Sequence, residues 1–463
     1  MRKKLLVAAI ILPFISSAQW APAVVISPGA DTASLNENMA SCLAASGDTL
    51  HAVWCDHRTT GSSIYYTHSL DTGINWSPAI SITDTNGHAT FPAIAVSGSA
   101  VHVAWMDLIS GQRASFYRRS LDGGNTWGPI MCLDSVSAFW PGLAASGSLV
   151  VMSINKQPIV GNTEVYFRRS VDSGTTWDSL QLISNANGRS EDPAIAALGS
   201  HVHLSWNDNR SGIMQIYYRY SSDAGLTWNP ETPLTNAVSP STCYTSMVCL
   251  NGTFADVPYG YNAGNFDVWL RQSADSGAVF SNAQQLTNAS TGELYPFMTR
   301  DGMQLHVVYI QAGTGVNYLY SGDGGITWDP AFLIGAGGQP FIAYTGCVLH
   351  VIWINSRAVY YRRHPTGNGN CLPSGISIPG FSSSPETISV YPNPAINQLR
   401  VQTEGLRTVS IDVYDVMGKR ILCSTLHGEN KIALDISAFQ PGVYFVNIRD
   451  AENNLVTKKI VKL

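Results

Sequence analysis

The sequence predicts an all-β chain, a closed ring of radial four-stranded sheets followed by a small Ig-like β-sandwich. Three observations carry that expectation. An eight-residue pattern recurs six times at intervals of about fifty residues. Aromatic, β-prone runs alternate with Gly-rich turns, while amphipathic helical periodicity is missing. The first strand-like segment of the exported chain also matches the segment that ends each later unit, so the two chain ends can complete one unit together.

In chain order, residues 1–18 read as a secretory signal. Arg2, Lys3 and Lys4 supply the positive start, and Leu5 to Ile15 is an apolar run too short to span a bilayer comfortably. Ser16-Ser17-Ala18 precedes the expected cut; a membrane anchor is the alternative. No later segment is apolar enough for a span, so the mature chain is expected without one. Charged residues are 13% and the net charge is −5, so no basic field points to nucleic acid. No motif implies a cofactor, and the spacing of the 8 cysteines matches no metal site. Cys42 and Cys55 flank the Gly47-Asp48 turn almost symmetrically, as a cross-hairpin disulfide or as two buried thiols.

The repeated pattern, Ser-x-Asp-x-Gly-x-Thr-Trp with variation, occupies Ser69–Trp76, Ser120–Trp127, Ser170–Trp177, Ser221–Trp228, Ser273–Phe280 and Ser321–Trp328. It has the chemistry of a turn. The Asp accepts hydrogen bonds from backbone N–H groups ahead of it, Gly supplies φ > 0, and Trp anchors the hairpin. A catalytic carboxylate needs one special environment, so six equivalent copies make Asp71, Asp122, Asp172, Asp223, Asp275 and Asp323 structural. An aromatic strand such as Ile64-Tyr65-Tyr66 precedes each copy and a short strand such as Ala79-Ile80-Ser81-Ile82 follows it. Two further strands lie upstream, which makes four per unit, a β-propeller blade.

The segment Trp20-Ala21-Pro22-Ala23-Val24-Val25-Ile26 matches Trp76-Ser77-Pro78-Ala79-Ile80-Ser81-Ile82 and reads as a lone fourth strand. Residues 341–353 and 358–363 supply the other three strands. Joined, they close a seventh blade; six blades is the alternative if one unit is misread. The boxes resemble the Asp-box, or BNR, repeat of the sialidase superfamily over roughly residues 20–364. That resemblance implies the propeller, catalytic or not. A sialidase holds its substrate carboxylate with three arginines, the first in an Arg-Ile-Pro segment, and uses a Tyr–Glu nucleophile pair and an Asp acid/base. Residues 19–68 contain only Arg58 and no such segment, so the catalytic residues stay unassigned.

Repetition also sorts the remaining candidates. His51, His102, His203, His306 and His350 each stand three residues before an aromatic, one per blade, too far apart to share a metal ion. Arg118, Arg168, Arg219, Arg271 and Arg362 repeat near the end of strand three, as partners for backbone carbonyls. In the loops between strands two and three, Asp56 and Arg58, and Asp208 and Arg210, read as local ion pairs, with Asp107, Lys156 and Arg357 at neighbouring places. Less repetitive residues gather just before strand one, where a central channel opens on the face opposite the boxes. They are Glu37, Phe91, Trp140, Glu191, Asp192, Tyr244, Glu293, Tyr295 and Phe341. Aromatic plates mixed with carboxylates suit a sugar, whose ring faces stack and whose hydroxyls need acceptors. The alternative is that the aromatics plug the channel.

Residues 365–385 read as linker, with Gly, Asn, Ser and Pro runs. From 386 to 463 the period-two pattern returns. Tyr391-Pro392-Asn393-Pro394, residues 413–419, Leu434-Asp435-Ile436-Ser437, Pro441-Gly442-Val443-Tyr444 and the terminal 458–463 resemble a type A sorting domain. The resemblance implies type IX secretion machinery as a partner and release or attachment at the outer surface by way of the periplasm. The sequence thus leads to a secreted or surface propeller, residues 19–364, that binds an extracellular glycan or protein. A sialidase-like exo-glycosidase is the alternative.

Overall fold

A computed structural model describes residues 20–365 and 388–462, apart from 30–31, 37–39, 60, 84–86, 160, 245, 346–347, 393–394, 404–407, 416–419, 428–430, 441 and 451–454. The expected signal segment, nearly all of the linker, and Glu37 lie outside the described residues. No described helix is long and apolar enough to cross a membrane. The chain divides into two compact units, Met1–Ser374 and Gly375–Leu463.

In the first unit the described strands form seven antiparallel sheets. Six use successive segments, 43–81, 90–134, 138–182, 190–233, 242–285 and 293–335. The seventh joins Gly338–Thr345, Val348–Asn355 and Ala358–Pro365 to Val24–Val25, which pairs with Tyr360 and Tyr361. Each sheet packs on the next, and the seventh packs back on the first. The ring is therefore closed by both ends of the unit, which removes two free edges.

One brace, repeated at the six junctions that carry a box, explains why the same residue types recur. In the box after strand three, Ser120 Oγ donates to Asp122 Oδ1 at 2.7 Å and accepts from Gly124 N at 2.8 Å. Thr126 then donates to Asp122 from its backbone at 2.8 Å and its hydroxyl at 2.6 Å. Such bonds hold Asp122, Asp223 and Asp323 down to about 2, chiefly through Thr126, Thr227 and Thr327. The glycine is demanded twice. Gly124 has φ +89, and a Cβ there would stand 1.8 Å from the Tyr66 hydroxyl of the preceding sheet.

That tyrosine links the junction together. Tyr66 shares a 2.7 Å hydrogen bond with His51 and meets Trp127 of the next box edge-on at 4.9 Å. The same arrangement joins His102, Tyr117 and Trp177, and it joins His203, Tyr218 and Phe280. At the closing junctions Trp20 stands where a box Trp would, edge-on to Tyr318 at 5.2 Å, and Tyr361 meets Trp76 at 5.0 Å. Each such aromatic contact adds about 0.5–1.5 kcal/mol beyond its buried area. Arginines stitch the same seams. Arg219 donates to Asn229 O at 2.8 Å and to Ile183 O of the preceding sheet at 2.9 Å. Arg362 does likewise to Ala21 O and Ile334 O. The five histidines are buried braces, and burial holds His51 and His102 down to about 4.

Cys42 and Cys55 are both free and buried. The hairpin register sets Cys42 against Val53, while Cys55 bridges Ser34, so the two are not opposed across the hairpin. The second unit packs a three-stranded sheet, Ile388–Tyr391, Gln398–Thr403 and Lys431–Asp435, on a four-stranded one, Arg420–His427, Thr408–Asp415, Gly442–Asp450 and Leu455–Lys462. Leu399, Val401, Ile411, Val413, Val446 and Ile460 fill the space between, each fully buried, which makes it a small sandwich.

Candidate functional site

The two faces of the ring are set by the hairpins. The turns joining strands one and two lie beside the boxes, as in Thr72 N to Asp48 O at 3.0 Å and Gly123 N to Ser99 O at 2.8 Å. The starts of the inner strands therefore open on the opposite face. In five sheets that start carries a β-bulge with one geometry. Phe91, Trp140, Asp192, Tyr295 and Gln339 have φ of 53, 55, 54, 54 and 52, and each is followed by proline. Pairing slips across each and resumes at Ala93, Gly142, Ala194, Phe297 and Phe341. Gly142, Ala194 and Phe297 line an axial cavity of about 120 Å³ together with Ser41, Met247 and Ile342. The bulges thus ring the mouth of a narrow apolar channel.

A non-glycine residue at φ > 0 costs on the order of 1–3 kcal/mol, and bulges re-aim side chains beside functional sites. The sequence signal for this ring is a proline three or four residues into the inner strand, at 92, 141, 193, 296 and 340. It was missed because the residues before the prolines differ in type.

The expected site residues fall into four groups. Phe91 and Trp140 come together, ring centroids 6.4 Å apart at 72°, and Phe139 backs Trp140 at 4.9 Å with the Arg113 guanidinium 5.4 Å above it. Glu191 and Asp192 are adjacent but held by different partners. Glu191 is held by a fork from Arg189 at 2.7 and 2.9 Å. The Asp192 carboxylate accepts from Asn207 Nδ2 at 2.9 Å, and its backbone N donates to Asn155 Oδ1 at 3.1 Å. Burial, with Glu191 beside it, pushes Asp192 up to about 7. Tyr295 shares the bulge geometry in the sixth sheet.

The remaining three are tied to their own sheets. Tyr244 precedes the equivalent place in the fifth sheet and leans on Phe266 at 6.1 Å. Glu293 is 2% exposed at the start of the sixth inner strand, and burial raises its carboxyl. Phe341 is corrected outright. It is 0% exposed and packs on Phe297 at 4.3 Å, because pairing has already resumed at its position; Gln339 is the residue on the ring. Its amide oxygen accepts from Leu35 N at 3.0 Å. Outside the ring, Arg210 forks onto Asp208 at 2.8 and 2.6 Å and also pairs with Glu231, and Lys156 pairs with Asp134 at 2.6 Å.

Chemically, the mouth offers apolar ring faces, a carboxyl pushed up to about 7, and an amide, Asn207, that donates to that carboxyl. The repeat arginines donate to backbone carbonyls, so they do not form a carboxylate clamp there.

Comparison with known proteins gives matches along both units. Residues 9–257 match the family described as BNR repeat-like domain, and residues 389–462 match the Secretion system C-terminal sorting domain. The sorting domain directs export by type IX secretion to the cell surface or the extracellular space. An endo-acting ulvan lyase of Formosa agariphila is 30% identical over 74 residues, a stretch that spans 16% of this chain and 14% of that enzyme. Among solved structures, polysaccharide lyase Uly1 is similar with a TM-score of 0.54 at 9% identity, over 71% of this chain and 90% of that one. An ulvan lyase bound to -[GlcA(1-4)Rha3S]- is similar with a TM-score of 0.52 at 10% identity, over 74% and 95%. At such identities the likeness is one of fold.

Proposed function

Since this chain belongs to the BNR repeat-like domain family, we propose that it binds an extracellular polysaccharide at the mouth of its ring. The observation that carries this reading is the set of five bulges, one backbone geometry presenting Phe91, Trp140, Asp192, Tyr295 and Gln339. Strain repeated with changing side chains suits a surface shaped for a ligand. The Phe91–Trp140 pair offers the apolar face on which a pyranose stacks, and Asp192 and Gln339 offer hydroxyl partners. Export by the sorting tail brings the ring to where such polymers are found. The similar polysaccharide lyases, by fold alone, agree with this ligand class.

The test is binding of the full chain to ulvan, alginate, laminarin and chondroitin sulfate, with free sugar assayed in the same samples. At least one polymer is expected to bind, and Trp140→Ala combined with Asp192→Asn is expected to weaken it by about tenfold or more while circular dichroism shows the fold retained. Binding that survives the double substitution would remove this site. A second reading, cleavage of the bound glycan, is favoured by Asp192, whose carboxyl near 7 suits a proton donor or acceptor. Release of sugar ends by the wild type and not by Asp192→Asn would establish it.

A further inference from the structure

The fifth sheet departs from its neighbours on the outer side of the ring, away from the mouth. In four sheets, directly opposed aromatics on strands two and three stack nearly parallel. Trp54 with Tyr65, Trp105 with Phe116, Trp206 with Tyr217 and Trp353 with Tyr360 have interplanar angles of 20°, 13°, 29° and 30°. The third and sixth sheets lack the stack, yet Lys156 covers Tyr166 in one and a buried Asn317 stands in the other. In the fifth, Tyr259 is sunk to 2% exposure opposite Trp269. Trp269 stays half-buried and leans on Tyr261 at 5.3 Å and 58°.

The result is a groove of about 510 Å³ between Trp269 and Tyr261 on one side and Leu234 to Asn236 of the fourth sheet on the other. Its size falls within the range of small-ligand sites. Exposed Asn236 and Asn282 border it. Arg271 crosses its floor, donating from Nε to Leu234 O at 2.9 Å and from Nη1 to Ser281 O. A flat indole, a tilted phenol and amides at the rim match a pyranose, which presents C–H faces to aromatics and hydroxyls to amides.

We infer that this inter-sheet groove is a second carbohydrate subsite, taking a sugar unit of a polysaccharide that also engages the ring. The inference rests on the reading of the ring as a polysaccharide binder but uses separate residues. Two subsites on one polymer raise affinity through effective concentration, so either alone holds the polymer less tightly than both.

The experiment is retardation of the full chain in native gels containing ulvan, alginate or laminarin, comparing Trp269→Ala with Trp140→Ala. Trp269→Ala is expected to need about tenfold more polymer for half-retardation. If it migrates like the wild type, the groove is not a subsite, and a loss confined to Trp140→Ala then leaves the mouth standing by itself. A loss confined to Trp269→Ala overturns the mouth and keeps the groove. A wild type retarded by none of the three overturns both. Should Trp269→Ala not fold, the exposed change Asn282→Arg puts a larger side chain at the groove and is read in the same way. Protection of Trp269 from oxidation by the retarding polymer is the second expected result, and unprotected oxidation contradicts the subsite.

Discussion

The two faces of the ring use left-handed backbone in opposite ways. On the box face the residue types repeat with the backbone; Ser, Asp and Gly return at the six junctions that carry a box, and at five of them the box aromatic meets Tyr66, Tyr117, Phe167, Tyr218 or Tyr361 of the preceding sheet edge-on. At the mouth the backbone repeats and the residues do not, with Phe, Trp, Asp, Tyr and Gln at one geometry. A position kept constant in both respects is explained by closing the ring. A position kept in backbone but varied in side chain has a frame supplied by the fold and chemistry left free for recognition.

If the box face is the brace, acid should break it first, and that is the largest effect expected. Burial holds His51 and His102 down to about 4 and His203, His306 and His350 to about 3. Each folded value lies below the unfolded one near 6.5, so the unfolded chain binds more protons once pH drops below 6.5. Stability should fall from there toward pH 3–4, by on the order of 1–3 kcal/mol for each imidazole. The calorimetric midpoint should drop steeply over that window, and His102→Gln should flatten the slope. A midpoint level between pH 6.5 and 4 would mean that neutral imidazoles do not support the junctions.

The next effect is steric and local. Gly124→Ala puts a methyl 1.8 Å from the Tyr66 hydroxyl at φ +89, whereas Gly98→Ala, in the neighbouring hairpin at φ +60, meets nothing within 4 Å. The first substitution should cost about 2–4 kcal/mol and the second about 1 kcal/mol. Chemical denaturation of the pair separates backbone strain from the lost junction. Equal costs would show that the close approach of Tyr66 adds nothing.

The ring was legible in the sequence because its braces are written in residue type. A spacing near fifty finds the boxes, and Trp20 announces the closing strand by copying the segment at Trp76. The β-propeller and its sorting tail follow from those letters. The mouth was only half legible. Phe91, Trp140, Asp192 and Tyr295 drew notice as unusual residues, but what unites them is a bulge that only backbone pairing reveals. Counting on without the bulge misplaced Phe341, which belongs to the core, and passed over Gln339. The amides that hold Asp192, Asn155 and Asn207, come from different sheets and leave no local pattern.

The smallest effect is also the sharpest contrast, because one residue type titrates in opposite senses on the two faces. Asp192 is pushed up to about 7, so its carboxylate is disfavoured in the fold. The wild type therefore loses stability as pH rises from the unfolded value near 3.8 to about 7. Asp192→Asn keeps an oxygen for Asn207 and carries no charge; it should be more stable than the wild type at pH 8, by about 1 kcal/mol after solvent screening. That advantage should shrink toward pH 5. Asp122 is held down to about 2, so its contribution is already complete above pH 4. Asp122→Asn should lower the thermal midpoint by an amount that stays the same at pH 8 and pH 5. Melting both variants at the two pH values decides the matter. Parallel behaviour would mean that the mouth carboxyl is one more structural aspartate and that the distinction between the faces fails.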